Sequence, residues 1–136
     1  MSKPLKRVLL IDDDIDVLMG LQLVLEEQFH VEVASQPNHA LRMLEASVFD
    51  AIVVDLMMPA MDGARLIEHI RARKLSSAPI ILMSAYPDAE VTAQLSGAAD
   101  SICKPFDVEV LENKLHRLFD TKSFAGAFGT KMGKAL

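Results

Sequence analysis

The chain has a single cysteine, Cys103, in 136 residues. That excludes an internal disulfide and a CxxC metal site, and Cys103 reads as a small core residue beside Lys104. Long apolar runs are missing too. None approaches the roughly 20 residues that cross a bilayer. The basic start, Met1 to Arg7, leads into apolar residues only as far as Ile11 before three acids follow. That run is too short for the core of a secretion signal. Positive charge is in the minority, with 14 Lys and Arg against 19 Asp and Glu and a formal net charge of -5. An acidic domain is a poor candidate for direct nucleic acid binding through its own surface. It suits a cation site or a soluble protein partner. Together these absences point to a cytoplasmic protein that does not engage the membrane.

What is present is a regular alternation. The 51% hydrophobic content and the length fit one domain with a sizeable core. Four apolar runs each end on a polar residue: Val8-Leu9-Leu10-Ile11 on Asp12-Asp13-Asp14, Ile52-Val53-Val54 on Asp55, Ile80-Ile81-Leu82-Met83 on Ser84, and Ser101-Ile102-Cys103 on Lys104-Pro105. A fifth run, Val31 to Ala34, alternates as an outer strand does. Between the runs lie helical patterns. Ile15, Leu18, Leu21, Val24 and Leu25 recur at three and four residues, as one buried helix face requires. Ala40, Leu41 and Leu44 give a second face, and Leu66, Ile67 and Ile70 a third. Glu90 to Ser96 is the weakest helix, and Val108, Leu111, Leu115 and Leu118 give a last one. The order is (βα)5. Right-handed crossovers then give an α/β doubly wound, five-stranded parallel sheet of order 2-1-3-4-5, with its switch point between the first and third strands.

Residues 1–119 form the domain in this reading. Residues 120–136, rich in Gly and Ala, read as a flexible tail or linker stub. Phe124, Phe128, Met132 and Leu136 recur every four residues there and offer an alternative, an amphipathic contact helix. The four histidines, His30, His39, His69 and His116, read as surface residues.

Ligands bind open α/β sheets at the C-terminal strand edge. Asp12, Asp13 and Asp55 collected there can offer carboxylate oxygens to a hard cation such as Mg2+, with Mn2+ as a substitute. A carboxylate can also attack phosphorus and form an acyl phosphate. Asp55 stands alone after a fully apolar strand, which favours it as the nucleophile, with Asp12 and Asp13 as metal holders. Lys104 supplies a point charge for the equatorial oxygens of a transferring phosphoryl group, and Ser84 supplies a hydroxyl donor. Pro105 invites a cis peptide in the turn. Asp14 reads as the start of the first helix, where an acid favours the dipole.

Val8 to Asp13, Val54 to Pro59 with Met61-Asp62-Gly63, Leu82 to Ala85, and Lys104-Pro105-Phe106 together resemble the receiver domain of two-component response regulators. The resemblance runs from residue 6 to about 119. It implies a flavodoxin-like fold and phosphorylation of Asp55 by a sensor histidine kinase or phosphotransfer protein in a Mg2+-dependent reaction. It implies Asp13 and Asp55 as metal ligands, Asp12 assisting through water, and the backbone carbonyl of Met57 as a third protein ligand. Ser84 and Lys104 would bind the phosphoryl group, helped by backbone N–H near Ala85. The surface of the fourth helix, fifth strand and fifth helix would change on phosphorylation, and a homodimer through that surface fits the family.

One position departs from the pattern. The family carries an aromatic three residues before the lysine, and here Ser101 stands there. Ser101 cannot report by burying a ring, so the signal is expected to travel through the loop Ala85 to Asp88 and the weak fourth helix. Two positions bear on the lifetime of the phosphoryl group. Met57 lies two residues after Asp55, and Tyr86 two after Ser84. Neither orients a water well, which predicts slow autodephosphorylation; they equally suit a kinase-docking surface. Three other readings compete. A haloacid-dehalogenase-like phosphatase needs a second acid where Met57 stands. A flavodoxin-like cofactor binder needs a Gly- or Ser/Thr-rich loop where Asp12-Asp13-Asp14 stand. A pseudo-receiver, acting as an interaction module without phosphorylation, is left open by Ser101. The protein is thus expected to be a phosphoacceptor and not an enzyme with turnover.

Overall fold

The computed structural model describes residues 4–86 and 89–128. Five strands alternate with five helices: β1 Arg7–Ile11, α1 Ile15–Leu25, β2 His30–Ala34, α2 Pro37–Ala46, β3 Ala51–Asp55, α3 Gly63–Ala72, β4 Ile80–Ser84, α4 Ala89–Ser96, β5 Asp100–Cys103 and α5 Val108–Phe128. All strand pairs are parallel, in the order β2-β1-β3-β4-β5. This is the doubly wound order expected from the alternation. Among the described residues, no helix is long and apolar enough to cross a membrane.

The central strands are apolar throughout because helices cover both faces of the sheet. Alternate residues of one strand therefore enter different cores. Leu9, Ile11, Ile52, Val54, Ile80 and Leu82 pack with Leu41 and Leu44 of α2, Leu66, Ile67 and Ile70 of α3, and Ala93 of α4. Val8, Leu10, Val53, Ile81 and Met83 pack on the other face with Leu18, Leu21 and Leu25 of α1 and Leu111 and Leu115 of α5.

Several helix starts are written in the sequence. Asp14 caps α1 by accepting from the amides of Asp16 and Val17, which satisfies donors the first turn leaves free. Asp62 caps α3 by accepting from the Arg65 amide, and Pro37 opens α2.

Two sequence expectations need correction. Helical spacing puts Ile15 and Val24 on the buried face of α1, but they are 60% and 39% exposed. Leu18, Leu21 and Leu25 form the buried stripe of α1 on a sheet face shared with α5, and the other two lie on the flanks of that stripe. Cys103 is exposed rather than in the core. It lies on the edge strand β5, where Ile102 points inward and its neighbour points the opposite way. The last helix, α5, runs to Phe128, beyond residue 119 where the composition changes. No Pro or Gly interrupts the chain between residues 106 and 125, so nothing local stops the helix. The apolar repeat of Phe124, Phe128, Met132 and Leu136 lies outside the described side chains, and residues 129–136 lie outside the described residues. So do Pro87 and Asp88 in the loop that follows Ser84. His30, His39 and His116 are exposed and His69 is half-buried, as expected of surface positions.

Candidate functional site

The C-terminal edge of the sheet gathers residues from four strands. β1 runs directly into Asp12 and Asp13, β3 ends on Asp55, β4 ends on Ser84, and β5 leads into Lys104. The buried polar side chains among the described residues are Asp12, Asp55, Ser84 and Ser96. Three of these lie at this edge. Burying a carboxylate is costly unless it is paired and hydrogen-bonded, so their placement calls for partners.

Lys104 supplies one. Its Nζ lies 3.0 Å from Oδ1 of Asp55 and 3.1 Å from Oδ2 of Asp12. The other oxygen of Asp12 accepts from the Asp14 amide at 2.9 Å. Asp13 is exposed beside them. One carboxylate oxygen from each of Asp12, Asp13 and Asp55 lies within 4.8 Å of the others. Two oxygens on opposite sides of a Mg2+ ion are about 4.2 Å apart, so this donor set fits a small hard cation after slight side-chain movement. All three donors are oxygens, as such a cation prefers.

The rest of the site is held by backbone. The Lys104 amide donates to the Ser84 carbonyl at 2.7 Å, tying the ends of β4 and β5 together, and the Lys104-Pro105 peptide is cis. The hydroxyl oxygen of Ser84 accepts from the Tyr86 amide at 2.9 Å, which leaves its proton free to donate outward. Ala85 is exposed next to it. The side chains of Met57 and Tyr86 are about half exposed, at 52% and 48%. The loop that carries Met57 is closed by the Gly63 amide, which donates to the Leu56 carbonyl at 2.8 Å. Ser101 is half-buried on β5, and its amide donates to its neighbour Asp100.

Burial pushes the Asp55 carboxyl above its usual range; Lys104 pulls it back in part, and the charges of Asp12 and Asp13 add to the rise. Burial alone would lower Lys104, but its bonds to Asp55 and Asp12 outweigh that and raise it. The raised Asp55 value has a definite sign for stability. The folded state holds this proton more tightly than the unfolded chain. Stability is therefore lost as pH rises through the folded pKa, and ionised Asp55 destabilises the metal-free fold at neutral pH. Asp55→Asn should then melt at a higher temperature than the parent in EDTA at pH 8. The difference should shrink as the pH is lowered and the parent carboxyl becomes neutral. Thermal melts across pH check this; a variant less stable than the parent at pH 8 would contradict it.

Residues 8–116 match the family model for the response regulator receiver domain. This chain belongs to that family. The two-component response regulator ARR10 of Arabidopsis thaliana is 36% identical over 112 residues, covering 79% of this chain and 20% of ARR10. Across ARR10 and two bacterial regulators, the chain spans 20, 26 and 25% of the relatives' lengths. The receiver domain of the Francisella response regulator 1452 superposes with a TM-score of 0.79 at 28% identity, covering 86% of this chain and 98% of that one. The Thermotoga maritima response regulator TrrA, in complex with Mg2+ and BeF, superposes with a TM-score of 0.73 at 28% identity, covering 83% and 98%.

In this receiver domain the structure brings Asp12, Asp13, Asp55, Ser84 and Lys104 to one edge. Met57, Ala85, Tyr86 and Pro105 lie on the loops that frame it. Ser101 sits back along β5 and has no side-chain hydrogen bond among the described residues. Residue-by-residue reading misses the part played by Gly63. A Cβ there would press into the carbonyl of Asp55 and lie 3.0 Å from both its carbon and the Leu56 Cα. The signal is a glycine opening a helix just after a loop of breakers, which in the sequence alone stands only as part of a motif.

Proposed function

We propose that this receiver domain takes a phosphoryl group onto Asp55 from a sensor histidine kinase or phosphotransfer protein. The reading rests above all on one observation: a buried carboxylate, Asp55, held by a lysine, beside two more acids and a buried hydroxyl. A carboxylate oxygen of Asp55 attacks phosphorus, the P–N bond of the donor phosphohistidine breaks, and the imidazole leaves. Asp12, Asp13, Asp55 and the carbonyl of Met57 would hold Mg2+, which when bound cancels charge on the phosphoryl oxygens; Mn2+ suits the same oxygen donors. The likeness to TrrA, which is in complex with Mg2+ and BeF, supports this. Lys104 and the Ser84 hydroxyl then grip the phosphoryl oxygens, with an amide near Ala85. Without a cation, three carboxylates and one ammonium leave the edge negative, which repels a phosphate donor.

The test is to incubate the protein with acetyl phosphate and Mg2+ and to read its intact mass. A gain of one phosphoryl group, lost in Asp55→Asn, is expected. No gain from small donors or from a phosphohistidine protein would favour a pseudo-receiver that binds partners without phosphorylation.

Met57 and Tyr86 bear on how long the group lasts. We read their half-exposed side chains as shielding phosphorus without orienting a water. Labelled protein freed of donor is expected to decay over many minutes to hours, and decay within seconds would reject this. With Ser101 on β5 in place of an aromatic, the switch is proposed to run through the loop after Ser84 and the short α4 to the α4-β5-α5 surface. That surface is also the candidate for homodimerisation.

A further inference from the structure

The opposite end of the sheet carries an open hollow, away from the acids. It has a volume of about 490 Å3 and is lined by Arg71, Lys74, Ser76 and Ser77, at the corner between α3 and β4. No acid lines it. Ser76 and Ser77 also border a larger hollow of about 730 Å3, whose two acids, Glu45 and Asp50, are engaged by the Arg73 guanidinium and the Arg7 amide; it leaves room beside the corner for an organic substituent. Along β4 the corner is separated from Ser84 by roughly 15 Å.

Every polar group here can donate. The Arg71 guanidinium donates to two neutral acceptors, the carbonyls of Ser76 at 2.9 Å and Ala78 at 2.8 Å. A guanidinium has five N–H donors, so three remain. Neither Arg71 nor Lys74 forms an ion pair among the described residues. The Ser76 hydroxyl oxygen accepts from the Ala78 amide at 3.0 Å, which leaves its proton to donate. The amides of Ser76 and Ser77 donate to no protein acceptor among the described residues. Half-buried Arg71 has its pKa lowered by burial with no carboxylate to offset it, so a nearby anion would favour its charged form.

A helix C-terminus carries partial negative charge, which argues against an anion. The end of α3 is already closed, however. The amides of Arg73, Lys74 and Leu75 donate back to the carbonyls of His69, Arg71 and Ile70 at 3.0, 3.1 and 2.9 Å. With those carbonyls satisfied, the two cations exceed what the helix end requires. We propose that the α3–β4 corner binds a phosphate-class oxyanion, either inorganic phosphate or a small phosphate monoester, through Arg71, Lys74 and the hydroxyls of Ser76 and Ser77.

Amide spectra of the full chain, in EDTA and at constant ionic strength, test this during titration with inorganic phosphate. EDTA removes divalent cations, so the acidic edge repels the anion and the two ends are read separately. A saturable shift centred on residues 71–78 is expected, with no such response to chloride. Parallel titration with glycerol 3-phosphate distinguishes the sources: tighter binding assigns the site to monoesters, and equal binding to phosphate alone.

Lys74→Asn is the decisive variant. Lys74 has a left-handed backbone with φ of 54°, which asparagine tolerates better than most residues. The substitution removes the charge while suiting the turn. It should weaken phosphate binding about tenfold, the loss of one charge-assisted contact, with the rest of the spectrum unchanged. Shifts that rise linearly without saturating, or equal affinity in Lys74→Asn, would overturn the proposal and leave the cations as partners of the helix end. Either failure leaves the reading of Asp55 untouched.

Discussion

Lys104→Ala is expected to slow phosphorylation of Asp55 by about 10²–10³-fold, the usual loss when one charged or polar stabiliser of a developing oxyanion is removed. Lys104 is the described cation in ion-pair contact with this edge, reaching both Asp55 and Asp12. Without it, the incoming phosphoryl oxygens meet three carboxylates and whatever charge the metal supplies. The variant should lose stability without a cation, since buried Asp12 and Asp55 lose their partner. It should stay folded at saturating Mg2+, and the bond from the residue 104 amide to the Ser84 carbonyl does not involve the side chain. The check is a time course of intact mass with acetyl phosphate at saturating Mg2+. A rate within threefold of the parent would sink the role given to Lys104. Lys104→Arg is a useful partner variant, since it keeps the charge but changes the reach and geometry.

Gly63→Ala is expected to cost about 2–3 kcal/mol, at the upper end of the range for overpacking a tight site. The clash is with backbone, which cannot rotate away: the carbonyl of Asp55 and the Cα of Leu56. Either the first turn of α3 must lift or the end of β3 must shift. The second response moves Asp55 itself, so phosphorylation should slow as well as stability fall. Gly20→Ala is the internal control. Gly20 lies within α1, with open space where a Cβ would stand, so alanine there should add about 0.5–1 kcal/mol through helix propensity. Chemical denaturation of both variants measures the pair. If Gly63→Ala proved no less stable than Gly20→Ala, the close approach at Asp55 would carry no energetic weight.

Much of this architecture is legible in the sequence. Unbroken apolar strands such as Ile52 to Val54 can be satisfied only between two helical layers, and the βα alternation with right-handed crossovers leaves few ways to order them. The polar residues at the strand ends are legible for the same reason: a strand that stops being apolar marks where the sheet edge meets solvent. What is not legible depends on angle and neighbourhood. Ile15 and Val24 obey helical spacing, yet α1 shares its sheet face with α5 and buries mainly the stripe of Leu18, Leu21 and Leu25. Cys103 looks like core because its type usually is, but at the C-terminal end of the edge strand its side chain points away from Ile102 and is left exposed. The bridging position of Lys104 between two acids, and the closeness of Gly63 to Asp55, arise between segments apart in the chain. No local pattern encodes them.

The run Asp12-Asp13-Asp14 divides one residue type among three surroundings. Asp12 is buried and held by Lys104 and the Asp14 amide, Asp13 is exposed beside the cluster, and Asp14 caps α1. A change to asparagine would therefore mean something different at each place: a lost counter-charge in the interior, a weaker cation site, or an almost equivalent helix cap. The tolerance of the three positions should rank in that reverse order. An alignment that scores them alike would treat as interchangeable what the fold keeps apart.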